Sequence, residues 1–301
     1  MRIFISGAAG FIGAELCSFA LKSGYEIIFF DHIIPTDIAY DDILKHKKCI
    51  VVKGNLNDLA GLSGIIKTCK TVIHLAGVSD AVQGKSDPGK TKQINIDYTK
   101  AFIDLCENVG VKLFLFASTM GVYGNSYTEI LHEKLDLKPS DPYSISKMEI
   151  EQFLKLKTNP EFCACSLRIA MVYGKSISNR SDLLVNKLIK IAKETGKINI
   201  FGGKQKRPQI HVTDVARIIT QLIDIKPSLL SGKSCNLVES NPSIEEIAYL
   251  IKTYLPNLEL NFLEQKENEN SFELSGDKIH AELGITPTIT LIKGIEQTIL
   301  N

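Results

Sequence analysis

The stretch that decides the fold reads RIFISGAAGFIGAELCSFALKSGYEIIFFD and covers residues 2–31. Two apolar runs rich in Ile and Phe, Arg2–Ser6 and Glu26–Asp31, lie at its ends, and a helix-length segment at 11–23 separates them. Short apolar runs on either side of an amphipathic segment are typical of a βαβ unit, in which both strands lie parallel in one sheet. Residues 2–31 therefore predict the start of a parallel α/β sheet.

The same alternation continues through the first half of the chain. Further apolar runs predict strands at Cys49–Lys53, Thr71–Leu75, Lys112–Ser118 and Cys163–Ile169, and the segments between them predict helices near 58–67, 88–109 and 142–157. Several of these strands are apolar without alternation, as expected when helices cover both faces of a sheet. The predicted fold class is α/β, with a Rossmann-type doubly wound parallel sheet.

The pattern loosens after residue 170, where the apolar runs become shorter and more widely spaced. We expect a helix near 182–195, a strand at KINIF (197–201), a helix after 212–214, a strand at SCNLV (234–238) and a capped helix from Ser243. The polar run at 264–273 predicts a solvent loop.

Composition narrows the class of partner. The 301 residues are 44% hydrophobic and 23% charged, as in ordinary globular proteins. Because 35 Lys and Arg face 34 Asp and Glu, the net charge of +1 gives no global field that attracts nucleic acid or a membrane surface. No apolar run approaches the roughly 18 residues of a membrane span. We therefore expect a cytoplasmic protein with neither nucleic acid nor membrane as a partner.

Cysteine usage points the same way. The chain has seven cysteines, and the only close pair, Cys163 and Cys165, lacks the spacing of a zinc knuckle or a redox dithiol. We predict no metal site, and we expect buried thiols in a reducing compartment.

A glycine triplet follows the first predicted strand. Gly7, Gly10 and Gly13 form GxxGxxG at the start of the first predicted helix. Glycine is needed there for a tight turn, for close approach of the backbone to a pyrophosphate and for contact between helix and strand. The helix dipole and the N-terminal amides, including those of Phe11 and Ile12, then bind the anion. The triplet therefore predicts a dinucleotide site.

An acidic residue ends the second predicted strand. Asp31 is placed to accept both ribose hydroxyls of an adenosine, whereas it would repel a 2′-phosphate. His32 follows, and no Arg or Lys stands beside it to favour that phosphate. We predict NAD rather than NADP as the cofactor, with Asp31 and His32 at the adenosine end.

Three further residues form a proton-transfer set. Tyr143 and Lys147 share one face of a predicted helix, and Thr119 ends the fifth predicted strand, at the sheet edge where ligands bind. Tyr143 is the predicted acid or base, and Thr119 is a hydrogen-bond partner of the substrate oxygen. We expect Lys147 and the positive nicotinamide to lower the pKa of Tyr143 from about 10 toward about 7.

These features resemble the extended short-chain dehydrogenase/reductases, specifically the NAD-dependent epimerase/dehydratase family that acts on nucleotide sugars. The resemblance runs along nearly the whole chain. The matching segments are ISGAAGFIG (5–13), GNL (54–56), VIHLAG (72–77), SDP (86–88), ASTMGVYG (117–124), PYSISK (142–147), LRIAMVYG (167–174), KRPQIHVTD (206–214) and ELGITP (282–287).

The resemblance implies roles for individual residues. It places Asn55 and Leu56 near the adenine, and it places Ala76 and Gly77 along the cofactor cleft. It also implies that the Thr, Tyr and Lys of the proton-transfer set are catalytic. Tyr143 and Lys147 are then expected to contact the cofactor as well.

The resemblance also implies a division of the chain. Residues 1–170 would form the NAD-binding Rossmann domain, with 213–238 returning to it, and 171–212 and 239–301 would form a smaller substrate-binding subdomain. Within this cap, Arg207 matches an arginine that clamps the substrate diphosphate, a task suited to the guanidinium fork. Asn186 is a further candidate for substrate contact, as is Thr119.

Departures from the family pattern narrow the chemistry. Dehydratases carry an Asp-Glu pair directly after the catalytic Thr, because removal of water needs an additional acid and base. Met120 and Gly121 stand at those positions, which disfavours a 4,6-dehydratase and a uronate decarboxylase. Met171 and Pro208 replace an Asn and an Asp that are usual in relatives, so the sugar and the nucleotide stay open.

The function predicted from these features is an NAD-dependent nucleotide-sugar 4-epimerase that works through a transient 4-keto intermediate, with Tyr143 as acid and base. A dehydrogenase or a 4-keto reductase of the same family is the alternative. A dinucleotide-binding regulator without turnover is a further alternative. Relatives commonly dimerise through the helices that correspond to 88–109 and 142–157, so we expect a homodimer.

Overall fold

The structure is a computed structural model that describes residues 1–125, 129–264 and 271–300. Its strands are β1 (Arg2–Ser6), β2 (Glu26–Asp31), β3 (Cys49–Lys53), β4 (Thr71–His74), β5 (Leu113–Thr119), β6 (Cys163–Ile169), β7 (Met171–Tyr173), β8 (Lys197–Phe201), β9 (Gln209–His211), β10 (Lys233–Leu237) and β11 (Glu259–Leu263). Its α-helices are α1 (Phe11–Lys22), α2 (Asp41–Leu44), α3 (Leu59–Ile66), α4 (Ala81–Ser86), α5 (Pro88–Lys92), α6 (Thr99–Asn108), α7 (Pro142–Lys157), α8 (Leu184–Thr195), α9 (Val212–Asp224), α10 (Pro227–Leu230), α11 (Ile244–Tyr254), α12 (Asp277–Leu283) and α13 (Leu291–Leu300). Of the predicted loop at 264–273, residues 265–270 lie outside the described part of the chain.

Seven parallel strands form the main sheet in the order β10-β6-β5-β4-β1-β2-β3. In this sheet β1 lies between β2 and β4, with Ser6 level with Phe30 on one side and with His74 on the other. The order of the strands therefore reverses at β1, and ligands of such sheets bind beyond the carboxyl ends of the strands at that point. The predicted Rossmann-type doubly wound sheet is confirmed.

The six strands predicted in the first half are all present, with shifts of one residue at the bounds of β4 and β5. The helix predicted at 88–109 is interrupted, because a π-helical turn at Gln93–Tyr98 separates α5 from α6. Asn95 lies in this turn and directs its amide to both backbone groups of Val78 and to the Ser146 hydroxyl. The wider turn thus brings a polar side chain to the end of β4. Such π-helical turns are frequent at functional sites.

The second half also follows the predicted order. The helix near 182–195 is α8, KINIF is β8, SCNLV lies within one residue of β10, and α11 begins after Ser243. Ser243 and Glu246 form a reciprocal capping box at this helix start. Sequence analysis missed β7 and β9, which are three residues long each and pair with one another, because so short a strand shows no periodicity.

Helices cover both faces of the main sheet. This explains why its strands are apolar at successive residues and do not alternate with polar ones. On one face Ile3 and Ile5 of β1 belong to a core cluster with side chains of α1 and α9. On the other face Phe4 and Phe114 belong to a cluster with side chains of α3, α6 and α7. A third cluster is formed by α8, β8, α11 and α13, apart from the main sheet.

The cysteines are free thiols, six of them buried and Cys49 half-buried. In the described ranges no three His, Cys, Asp or Glu side chains are grouped so that they could hold a metal ion. Nor does any helix within these ranges have the length and apolar character needed to cross a bilayer.

Asp214 ties the segment before the last helix to α9. Its carboxylate is fully buried near the start of α9 and accepts from Arg217 and from the backbone N–H groups of Thr288 and Ile289, at 2.7–2.9 Å. These bonds hold the segment that leads into α13 against α9, so that α13 can close the third core cluster.

We predict that Asp214→Asn lowers the free energy of unfolding by roughly 3 kcal/mol, because the fully buried carboxylate is the charged acceptor of two backbone N–H groups and the partner of the half-buried Arg217. Urea unfolding checks this value. The control is Glu194→Gln, which removes one charge of an exposed pair with Lys190 and should change stability by less than about 0.5 kcal/mol. Equal effects of the two substitutions would contradict the role assigned to Asp214.

Candidate active site

The glycine triplet forms a turn that a side chain would fill. Gly7 has φ +72°, and a Cβ there would lie 2.7 Å from the backbone nitrogen of Ala76. A Cβ on Gly13 would lie 2.1 Å from the carbonyl oxygen of Gly7. Gly10 is the N-cap of α1, so the free N–H groups of the first turn, at Phe11 and Ile12, face the end of β1. This cradle fits a pyrophosphate.

Asp31 lies beside the cradle at the carboxyl end of β2. Its carboxylate is buried and accepts from the backbone N–H of Ala9 at 3.0 Å, and the Nδ1 atom of His32, a mostly exposed side chain, lies 2.8 Å from it. The Gly54 N–H donates to the Asp31 carbonyl at 3.0 Å, which places the predicted adenine-site residues Asn55 and Leu56 next to this end. The structure therefore gathers the residues predicted for the adenosine.

Ala76 and Gly77, the residues predicted to line the cofactor cleft, lie just after β4. The N–H of Ala76 faces the Ser6 hydroxyl at 3.4 Å, across the reversal point of the sheet. Gly77 has φ +148°, and a Cβ there would lie 2.6 Å from the Asn95 amide oxygen. The Asn95 side chain therefore leaves room only for glycine at position 77, and its hydrogen bonds to Val78 fix the chain that follows β4.

Thr119, Tyr143 and Lys147 converge at the carboxyl end of β5. Asp141 caps α7 by accepting from the Ser144 N–H at 3.0 Å, so Tyr143 lies in the first turn of the helix, as predicted. The Lys147 Nζ donates to the Ala117 carbonyl at 2.8 Å and lies 5.8 Å from the centre of the Tyr143 ring. Thr119 is the last residue of β5, and its side chain reaches Tyr143.

Burial governs the ionisation of this set. Burial raises the pKa of Tyr143 to about 12, and hydrogen bonding to Thr119 and the nearby Arg180 charge oppose the rise. Burial lowers the pKa of Lys147 to about 8, and the Glu151 charge opposes that fall. The expected lowering of the Tyr143 pKa therefore does not come from this chain alone. At neutral pH the phenol is protonated, and a further positive charge at the site is needed to ionise it.

The two residues predicted for the substrate lie in the second half. Asn186 accepts from the Gly174 N–H at 2.9 Å and donates to the carbonyls of Gly174 and Arg180 at 2.8 and 3.1 Å. Its amide thus shapes the loop between β7 and α8. Arg207 is half-buried, with its guanidinium 5.7 Å from the centre of the Phe272 ring. Their contacts with a substrate remain predictions.

Sequence reasoning missed Arg180. This side chain forms a two-point ion pair with Asp182 at 2.7 Å and reaches the Ser79 hydroxyl at 3.5 Å and Asp80 at 3.8 Å. Asp80 caps α4, whose Gly84 packs against Tyr143. Arg180 therefore joins the loop before α8 to the loop after β4, beside Tyr143. No spacing could reveal this, because 101 residues separate Arg180 from Ser79.

Fold and site together define a dinucleotide-dependent α/β enzyme, and comparison with known proteins gives its family. Residues 3–237 match the NAD dependent epimerase/dehydratase family. The chain belongs to this family, and the predicted NAD cofactor is confirmed.

Individual relatives are similar over most of their length. A Bacillus subtilis (strain 168) protein, named as the uncharacterized UDP-glucose epimerase YtcB, is 30% identical over 249 residues, 79% of this chain and 76% of the relative. A UDP-glucuronate 4-epimerase of Thermodesulfobacterium geofontis (strain OPF15) is 27% identical over 98% of this chain and 94% of the relative. The solved UDP-glucuronic acid 4-epimerase from Bacillus cereus, in complex with UDP-glucuronic acid and NAD, superposes with a TM-score of 0.86 at 25% identity, covering 99% and 98% of the two chains.

We predict that Gly13→Ala weakens NAD binding at least about tenfold and lowers the free energy of unfolding by about 2 kcal/mol, because the new Cβ forces backbone atoms apart. Calorimetric titration of nucleotide-free protein and urea unfolding check the two effects.

Gly64→Ala is the matched control, since a Cβ at Gly64 in α3 meets nothing within 4 Å. It should leave NAD affinity unchanged and raise stability by roughly 0.5–1 kcal/mol, the helix propensity difference. Wild-type NAD affinity in Gly13→Ala would contradict the cradle.

Proposed function

We propose that the protein is an NAD-dependent nucleotide-sugar 4-epimerase that works through a transient 4-keto sugar. The observation that carries this proposal is the convergence of Thr119, Tyr143 and Lys147 at the carboxyl end of β5, two strands from β1 and at the same edge of the sheet as the glycine cradle. The 4-epimerase names of several relatives support it.

In this proposal each side chain handles a stated group of the sugar. Tyr143 takes the proton from the O4 hydroxyl and later returns it, and Lys147 stabilises the phenolate by its positive charge. Thr119 hydrogen-bonds the same sugar oxygen. NAD held at the glycine cradle would supply the hydride chemistry, with the hydride leaving one face of C4 and returning to the other after the keto sugar has turned over. Arg207 is the proposed clamp of the diphosphate, with Asn186 supporting the neighbouring loop.

The carboxylates near Tyr143 already cap helices, which favours epimerisation over dehydration. Asp141 and Asp80, whose charges raise the pKa of Tyr143, are the N-caps of α7 and α4. Both carboxylates are thus bound to backbone N–H groups. After Thr119 the chain enters a 3-10 turn with Met120 and Gly121, which carry no acid or base. Removal of water would need an additional acid and base.

The division of the chain is part of the proposal. Residues 1–170 and 213–238 would bind NAD, and 171–212 and 239–301 would hold the nucleotide sugar. This division is supported by the third core cluster, which α8, β8, α11 and α13 form apart from the main sheet. It is also supported by β10, which returns to pair with β6 at the sheet edge.

The direct test is a proton NMR assay of the NAD-loaded protein with UDP-, GDP-, CMP- and dTDP-sugars. We expect inversion at C4 of one sugar nucleotide without net formation of NADH. Accumulation of NADH and a ketone would instead establish a dehydrogenase.

We predict that Tyr143→Phe lowers kcat by roughly 100-fold or more, because the proton acceptor for O4 is lost, while NAD affinity stays within about twofold. The control Tyr254→Phe, in α11, should keep wild-type kcat. A Tyr143→Phe enzyme as active as the wild type would contradict the proposed role, and a wild type without turnover would favour a regulator.

We also propose a homodimer that packs through the helices of residues 88–109 and 142–157, which contain α5, α6 and α7. Leu156 of α7 is 85% exposed and Ile145 is 36% exposed, so this helix presents apolar side chains to solvent. We expect dimers in sedimentation at micromolar concentration, and Leu156→Glu should weaken them. Leu229→Glu, at an exposed position of α10, should not. Wild-type monomers at this concentration would contradict the dimer.

A further inference from the structure

A buried ion pair lies behind the proton-transfer set. Glu151 stands one helical turn after Lys147 on α7, and its side chain is 5% exposed. Arg168 of β6, 6% exposed, donates to both carboxylate oxygens of Glu151, with its Nε at 3.1 Å from each and its Nη2 at 2.7 Å from Oε2. The two groups therefore hold one another in a fixed orientation.

The pair is anchored to the turn that follows Thr119. The second terminal nitrogen of Arg168 donates to the Tyr123 hydroxyl at 2.9 Å, and Tyr123 donates to the Asn236 amide oxygen at 2.8 Å. Tyr123 ends the 3-10 turn after β5, and Asn236 belongs to β10. The Ser234 hydroxyl, also on β10, lies 3.3 Å from Glu151 Oε2. Three strands and a helix thus meet at these two charges.

Glu151 also contacts the end of β5 directly. The Ser118 hydroxyl donates to Glu151 Oε1 at 2.5 Å, and the preceding residue, Ala117, accepts from the Lys147 ammonium at 2.8 Å. Consecutive residues of β5 are therefore fixed to side chains one turn apart on α7. Thr119 is the next residue, so its position relative to Tyr143 depends on these two bonds.

Glu151 places a negative charge near the Lys147 ammonium, whose burial disfavours its charged form. The groups that face the ammonium are the Tyr143 ring and Glu151 on α7, the Phe116 ring on β5 and His74 on β4. Burial, together with the Lys147 charge, lowers the pKa of His74 to about 3, so this imidazole is neutral and adds no negative charge. Glu151 opposes the effect of burial on Lys147.

A buried ion pair is weak evidence for stability, because removing two charges from water offsets much of their attraction. Its placement is informative here, since the same carboxylate contacts the residue before Thr119 and acts on the charge of Lys147.

We propose that Glu151 is a positioning residue: held by Arg168, it fixes Ser118, and with it Thr119, against the Tyr143 face of α7, and it presents a negative charge to the Lys147 ammonium. Insofar as it concerns turnover, this inference rests on the proposed function. The positioning itself is a property of the chain and can be measured without a substrate.

The experiment uses Glu151→Gln in the full chain, with the titration of Lys147 followed by NMR of 15N,13C-lysine and assigned through Lys147→Met. We expect the midpoint of the Lys147 titration to fall by about one pH unit, because a nearby opposite charge is removed. We also expect kcat to fall at least about tenfold, with NAD affinity within about twofold of wild type. The control is Glu149→Gln. Glu149 lies on α7, as Glu151 does, and pairs with Lys100 of α6 at the surface, so its substitution should change none of these values.

Ser118→Ala separates the two parts of the proposal and keeps it testable should Glu151→Gln fail to fold. It removes the bond to β5 and leaves the Glu151 charge in place, so kcat should fall at least about fivefold while the Lys147 titration stays at its wild-type midpoint. A cavity of about 630 Å3 borders Glu151 and Arg168.

A Lys147 midpoint unchanged by Glu151→Gln, or wild-type kcat in Ser118→Ala, would overturn the positioning role. If the wild type turns over no nucleotide sugar, the proposed function fails, whereas the Lys147 titration still decides this inference.

Discussion

The hydrogen bond from the Lys147 ammonium to the Ala117 carbonyl, 2.8 Å long, joins α7 to the carboxyl end of β5. Lys147 is buried and Ala117 half-buried, because β5 is an interior strand of the seven-stranded sheet and α7 packs over it. The bond fixes the height of α7 relative to the strand end. Tyr143, one turn earlier on α7, is thereby brought to Thr119.

The same burial that orders the site sets its chemistry. Taking Tyr143 and Lys147 out of water disfavours the charged form of each, so the phenol holds its proton at neutral pH and the ammonium is easier to deprotonate than a free lysine. Positive charge beside the phenol then has a large effect. In the proposed reaction, the site exchanges a proton when a cationic group and a sugar hydroxyl enter together.

Local patterns were sufficient to predict much of this arrangement. The glycine triplet, the strand-end Asp31 and the spacing of Tyr143 and Lys147 are each encoded within a few residues, and Thr119 follows from its place at a strand end. The contacts of Arg180 with Ser79 and of Glu151 with Arg168 could not be predicted, since they depend on which distant segments become neighbours in the sheet. The contacts of Asn95, in the π-helical turn at 93–98, were missed for the same reason, because its partners Val78 and Ser146 are 17 and 51 residues away in the sequence.

The most direct measurement of the proposed chemistry follows the hydrogen at C4 of the sugar. A sugar nucleotide that carries deuterium at C4 is converted in ordinary water, and the product is analysed by NMR and mass spectrometry. Transfer of this hydrogen within a closed site predicts that the inverted product keeps its deuterium at C4. Loss of the deuterium to the solvent would show that C4 exchanges a proton instead, and it would contradict a site in which Tyr143 serves only the oxygen.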